Sequence, residues 1–379
     1  MAARDVRIET LLKATVDAGG SDLHLTPGRP PMARRDGQII AFEGVDVLDD
    51  VDTGRFAVSL LDEQQFVELS TRKQIDFSFG LSGVGRFRVN IFRQRGSYAL
   101  ALRVIPTRIR PLEELGAPAS LSDLLERPYG LVLAVGPTGS GKSTTLAAMI
   151  DRINATRSCH ILTIEDPVEY LHHHQMALVN QREVGSDVID FEEGLRAALR
   201  EDPDVILLGE MRDLESISIA LTLAETGHLV FATLHTNDAA QAFDRVVDVF
   251  PAERRDQIQV QLASSLQGVV SQRLLRAQTG GRVAAYEVLI ASDAVRNLLR
   301  EGKSRQLRNV MVSSQGDGMQ TLEMDLARLV ASGQIDLETA MGASMYPKEV
   351  MHLHATQRIQ SRNQPGGAVH PNGHIVEVR

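Results

Sequence analysis

The sequence predicts an α/β protein of two domains, an α+β unit followed by a parallel sheet covered by helices. Three observations carry this. The chain has 379 residues, more than one compact domain usually holds. The segment Phe87-Arg88-Val89-Asn90-Ile91-Phe92 alternates strictly, with Phe87, Val89 and Ile91 on one side and Arg86, Arg88 and Asn90 on the other, as a strand with one buried face does. From Tyr129 onward the pattern changes to short, nearly unbroken apolar runs separated by amphipathic segments, which is how strands buried on both faces read.

The first domain is expected over 1–106. Its second clear strand, Ala99 to Ile105, ends at Pro106, and three prolines between 106 and 118 mark a linker taken as 107–128. The second domain, 129–346, holds the runs Leu131 to Val135, Ile161 to Ile164, Val205 to Leu208 and Leu229 to Leu234, and ends in helices. Beyond Pro347 the chain turns polar and lacks an apolar period, so 347–379 reads as a mobile polar tail.

Composition narrows the function classes. No apolar run approaches the length that crosses a bilayer, and Arg4, Asp5, Arg7 and Glu9 are unlike a secretory signal. Cys159 is the only cysteine, which excludes an intrachain disulfide and a multi-cysteine zinc site and suits a reducing, cytoplasmic compartment. A formal charge of −9 argues against a protein that depends on an overall basic surface, so no nucleic-acid partner is expected.

Ligands of open parallel sheets bind beyond the carboxyl ends of the strands, and those positions hold the reactive residues. The first run leads into Gly136-Pro137-Thr138-Gly139-Ser140-Gly141-Lys142-Ser143-Thr144, followed by a helical pattern. Strand, glycine-rich loop and helix in that order form a phosphate loop. Glycines turn backbone N–H groups towards phosphate oxygens, Lys142 reaches the β- and γ-phosphates of ATP, and Ser143 is placed to ligate Mg²⁺. After the third run, Gly209-Glu210-Met211-Arg212-Asp213 puts Glu210 at a strand mouth, either to bind Mg²⁺ through water or to orient the attacking water. The second run ends in Glu165-Asp166-Pro167-Val168-Glu169, and spacing does not decide which of Glu165 and Glu169 approaches the water. The fourth finishes at His235, suited to hydrogen-bond a γ-phosphate; His228 stands at its opposite end and is the weaker nucleotide candidate. The run His172-His173-His174 and Cys159 are not promoted to metal or nucleophilic roles, because adjacent imidazoles converge poorly on one ion and nothing near Cys159 activates it.

With these residues in place, the chain resembles the type IV pilus retraction ATPases of the secretion ATPase superfamily. The likeness rests on the phosphate loop, on Ile161 to Glu169, on Arg200 to Asp213, on Gly227 to Asn237, on Ser21-Asp22-Leu23-His24-Leu25 and on Asp248-Val249-Phe250-Pro251. It runs from about Ile8 to about Ala343. Ala294-Val295-Arg296-Asn297-Leu298-Leu299-Arg300-Glu301 is similar to a short motif associated with retraction, with Val295 and Leu299 where isoleucines are usual. Without the resemblance that stretch reads only as an amphipathic helix.

The resemblance implies a PAS-like N-terminal domain, a RecA-like P-loop ATPase domain and a homo-hexameric ring with ATP bound between the domains. It aligns Glu169 with the family's catalytic Asp-box glutamate and Glu210 with its Walker B glutamate. Arg88 and Arg103 match arginines that contact nucleotide phosphates, with Arg86 a weaker candidate. The expected partners are an inner-membrane platform protein of the pilus and a second retraction or extension ATPase, at the inner face of the cytoplasmic membrane. An extension or secretion ATPase is the nearest competitor, and an accessory retraction motor that works beside a second ATPase is another of the same superfamily; a nucleic-acid translocase and a scaffold without turnover are competitors of other classes.

Overall fold

The computed structural model describes residues 5–35, 37–106, 108–211 and 213–362, excluding the side chains of 357–362. The chain forms two compact units. One contains the residues up to Ile109 together with Pro167–His172, and the other contains Arg110–Asp166 and the chain from His173 onward.

The first unit runs α1 (Val6–Asp17), β1 (Asp22–Leu25), β2 (Met32–Arg35), β3 (Gln38–Ala41), α2 (Asp50–Leu60), α3 (Glu63–Arg72), β4 (Gln74–Leu81), β5 (Gly85–Gln94) and β6 (Ser97–Ile105). The strands form one antiparallel sheet in the order β3-β2-β1-β6-β5-β4. The alternation read in β5 is the burial pattern found: Phe87, Val89 and Ile91 are fully buried, while Arg88 is exposed. Those three join Leu12 of α1 and Phe56 of α2 in one core. Reciprocal capping boxes, Asp49 with Asp52 and Asp62 with Gln65, satisfy orphan N–H groups and fix where α2 and α3 begin.

The second unit opens with α4 (Ser120–Leu125), β7 (Gly130–Val135), α5 (Lys142–Thr156), β8 (His160–Glu165), β9 (Leu178–Glu183), α6 (Phe191–Ala198), β10 (Val205–Leu208), α7 (Leu214–Glu225) and β11 (Leu229–Leu234). It continues with α8 (Ala239–Asp248), α9 (Ala252–Ser265), β12 (Leu266–Arg276), β13 (Arg282–Ile290), α10 (Asp293–Arg300), α11 (Leu307–Ser313), α12 (Leu322–Ala331), α13 (Leu337–Ala343) and α14 (Pro347–Arg362). Its sheet order is β13-β12-β7-β11-β10-β8-β9; every pair is parallel except β12 with β13. The four apolar runs are the central strands β7, β11, β10 and β8. Their side chains enter one large core with α7, α8 and α9.

Two expectations are corrected. The linker 107–128 contains α4, whose Leu121, Leu124 and Leu125 are buried. Their i, i+3, i+4 spacing is a helical face, and the neighbouring prolines masked it. The tail expected from 347 begins instead as α14, with Val350 fully buried in the cluster formed by α12, α13 and β13. Arg308 holds this helix by meeting Glu349 and Glu323, each at 2.7 Å, while its guanidinium lies 4.2 Å from the Tyr346 ring centre. One fully buried valine and a half-buried ion pair help dock a helix whose other described residues are half-buried or exposed, so its sequence is polar. Residues 363–379 lie outside the described residues.

Candidate active site

Four neighbouring strands deliver the site. Because β7, β11, β10 and β8 are adjacent and parallel, their carboxyl ends lie in one row, about 4.8 Å apart from strand to strand. The phosphate loop follows β7, His235 follows β11, Glu210 follows β10 and Glu165 ends β8.

The loop depends on its glycines. Gly136 has φ 144° and Gly141 φ 92°, values that residues with a Cβ rarely adopt. A Cβ on Gly136 would lie 2.4 Å from the Gln272 carbonyl oxygen, so the strand beside the loop also excludes any side chain there. Helix α5 begins at Lys142, directing its free N–H groups and dipole towards the loop. Lys142 is buried and donates through Nζ to the carbonyls of Gly136 and Pro137 at 2.8 and 3.2 Å. The Ser140 hydroxyl is buried without a hydrogen-bond partner. An orphaned donor, a buried ammonium and a helix N-terminus make a cradle suited to phosphate.

The turn that carries Glu210 is stitched from both sides: Gly209 N donates to Ile164 O at 2.8 Å, Met211 N donates to Thr233 O at 3.1 Å, and the Thr233 hydroxyl donates to Gly209 O. Asp213 then caps α7 by accepting from Ser216 N. The Glu210 carboxylate meets His235 Nε2 at 3.1 Å. Glu165 is half-buried and accepts from the Thr163 hydroxyl at 2.6 Å and from Gln181 Nε2 at 3.2 Å, so its position is set by its own sheet.

The second unit therefore brings together the phosphate loop, Glu165, Glu210 and His235. His228 is not with them. The pairing Leu229↔Gly130 and Leu234↔Val135 puts it at the other end of β11, where Nδ1 bonds Leu223 O at 3.0 Å. Six strand residues separate it from the site row, roughly 20 Å at the rise of a parallel strand.

The arginines belong to the first unit, as does exposed Glu169. Arg88 and Arg103 face each other across β5 and β6, and Arg103 donates to Asp22 at 2.9 Å. Burial alone would raise the Asp22 carboxyl; hydrogen bonds from Arg103 and Ser21 outweigh it and leave the group below its ordinary value. Arg86 donates to the Ser78 hydroxyl at 2.6 Å. In the histidine run, His174 Nδ1 accepts from Val179 N and the His173 carbonyl accepts from Asn154, both structural bonds. Burial pushes the Cys159 thiol upwards, which opposes use as a nucleophile.

Sequence reasoning missed the wall behind the loop. Strands β12 and β13 were not read as strands, so Gln272, Tyr286 and Glu287 had no assigned place. Gln272 backs Gly136 and Gly141. Glu287, buried on the same hairpin, accepts from Ala239 N at the start of α8, four residues after His235.

Comparison with known proteins agrees with this arrangement. Residues 74–342 match the family described as Type II/IV secretion system protein. A type IV pilus retraction ATPase, PilT, of Pseudomonas aeruginosa is 48% identical over 341 residues, covering 90% of this chain and 99% of the relative. A twitching motility protein of Neisseria gonorrhoeae is 50% identical over 290 residues, covering 76% and 78%. The crystal structure of the pilus retraction motor PilT with bound ADP superposes with a TM-score of 0.86 at 50% identity, covering 92% of this chain and all (100%) of that one. Family match, full-length relatives and the phosphate-loop site converge: the chain is an ATPase and belongs to the type II/IV secretion system protein family, alongside the pilus retraction ATPases.

Proposed function

We propose that this chain is the subunit of a homo-hexameric motor whose ATP hydrolysis retracts type IV pili, acting on an inner-membrane platform protein at the inner face of the cytoplasmic membrane. The observation that carries the proposal is coverage: the likeness to a pilus retraction ATPase extends over 99% of that relative, both domains included. Extension and secretion ATPases usually add a longer N-terminal region and a four-cysteine metal insert. This chain has a single cysteine.

In this reading Lys142 gives up the Gly136 and Pro137 carbonyls for phosphate oxygens, and the Ser140 hydroxyl gains the partner it lacks. Ser143 through its hydroxyl and Glu210 would hold Mg²⁺, which would supply charge neutralisation at the phosphates. Glu169 takes the proton of the attacking water. Arg88 and Arg103 neutralise the charge that develops on the transferred phosphoryl group, an effect worth about 10³–10⁵ in rate in other phosphoryl-transfer enzymes. His235, bonded to Glu210, links that carboxylate to the γ-phosphate.

The test is a Lys142→Ala allele in cells together with the purified variant. Turnover should vanish, and pili should be displayed but never withdrawn. Normal twitching with a dead ATPase would remove the assignment. A non-piliated strain would favour an extension motor, and DNA-stimulated hydrolysis that weakens steeply with salt would favour a translocase.

A further inference from the structure

Gly136 and Gly141 of the phosphate loop both have positive φ, 144° and 92°, and carry no side chain that could pin the loop. One residue meets both. Gln272 of β12 lies one position past the last residue paired to β7, Ser271↔Val135, and is buried. Its backbone carbonyl oxygen is 2.4 Å from where a Gly136 Cβ would stand, and its side-chain Nε2 is 2.7 Å from where a Gly141 Cβ would stand. Its Oε1 accepts from the Thr145 hydroxyl at 2.8 Å, on the first turn of the helix that the loop feeds. Thr145 Oγ1 also lies 3.5 Å from the hydroxyl of Tyr286, which stands directly across from Gln272 on β13. The Tyr286 hydroxyl in turn donates to Leu115 O at 3.5 Å.

This network is local, polar and buried, and it touches the loop from the side opposite to the strands that bear His235 and Glu210. Buried side-chain networks of this kind fix a unique geometry when every member is satisfied. We propose that Gln272 is a positioning residue for ATP hydrolysis: its side-chain amide, anchored by Thr145, braces Gly141 while its backbone carbonyl backs Gly136, and together they set the loop in its phosphate-binding form. Gln272 contacts the loop and not the reacting atoms. Losing the clamp therefore removes interactions made equally in the ground and transition states, which raises KM and leaves kcat nearly unchanged.

The experiment is steady-state ATP hydrolysis by the purified full-length protein and four variants. Gln272→Leu removes both hydrogen-bonding ends at similar volume, and Thr145→Val removes the anchoring hydroxyl. Both should raise KM for ATP at least tenfold with kcat within threefold of the parent. Thr145→Ser, which keeps the hydroxyl, should restore a KM within twofold. The double variant, Gln272→Leu with Thr145→Val, should be no worse than the poorer single, because both remove the same clamp. An unchanged KM in both single variants overturns the proposal, as does a fall in kcat at constant KM, which would place Gln272 in the chemistry. Loss of cooperative unfolding in both single variants also overturns it, making Gln272 a prop of the core. The proposal rests on ATP turnover by the parent protein, and a parent without turnover would fault that assignment, an outcome distinct from those above.

Discussion

Glu287 offers a quantitative test of how the second unit is built. Its carboxyl is buried between β13 and the start of α8, and its ordinary value of 4.5 is raised to about 7. Burial is the main cause. The hydrogen bond from Ala239 N opposes it, Asp238 and Glu323 reinforce it, and Arg308 opposes it. A carboxyl whose folded value lies above its unfolded value holds its proton more tightly in the folded state, so stability falls as pH rises between the two values and levels off above the higher one. With 4.5 and about 7 as the limits, the penalty grows by about 2.5 kcal/mol from pH 5 to pH 8, taking 1.36 kcal/mol per unit. Glu287→Gln keeps an acceptor for Ala239 N and cannot ionise. The difference in unfolding free energy between variant and parent, by urea titration followed by circular dichroism at fixed protein concentration, should move in favour of the variant by about that amount between pH 5 and pH 8. Groups common to both proteins cancel in the difference. A variant-minus-parent difference flat across that range would mean that Glu287 is not desolvated as the packing requires, and the argument for its buried contact with α8 would fail.

Two further outcomes follow from close contacts. Gly136→Ala forces a Cβ to 2.4 Å from the Gln272 carbonyl at φ 144°; strain of about 1–3 kcal/mol should weaken ATP binding about 10–100-fold, measured by titration with a fluorescent nucleotide, and parent-like affinity would show that the loop yields freely. Leu124→Ala empties a fully buried site over Gly268 and should cost about 2–5 kcal/mol of stability in urea unfolding. A loss under about 1 kcal/mol would show that α4 packs loosely and deserves the name of linker after all.

The sequence by itself determined the chemistry of each strand end and the period of each central strand. Val205 to Leu208 and Leu229 to Leu234 read as buried parallel strands because helices cover both faces, and Glu210 and His235, the residues that follow them, meet because parallel strands end together. The phosphate loop was legible because its glycines and Lys142 follow from phosphate geometry, which is local. Phe87, Val89 and Ile91 were legible for the same reason, since alternation is a property of neighbours in the chain.

The tertiary structure decided what depends on partners distant in sequence. Register put His235 against Glu210 and carried His228 to the far end of the same strand, although each adjoins that run in the chain. Helix α14 reads as polar tail until Arg308, some forty residues away, supplies an ion pair and the cluster supplies a place for Val350. Gln272 carries no motif: its importance comes from the pairing of β12 with β7, which sets an ordinary glutamine behind two glycines more than a hundred residues earlier. Local patterns fix local conformation and the residue types that chemistry needs. Only the folded sheet brings those residues into contact, because contact between distant segments is a product of topology and not of any stretch of sequence alone.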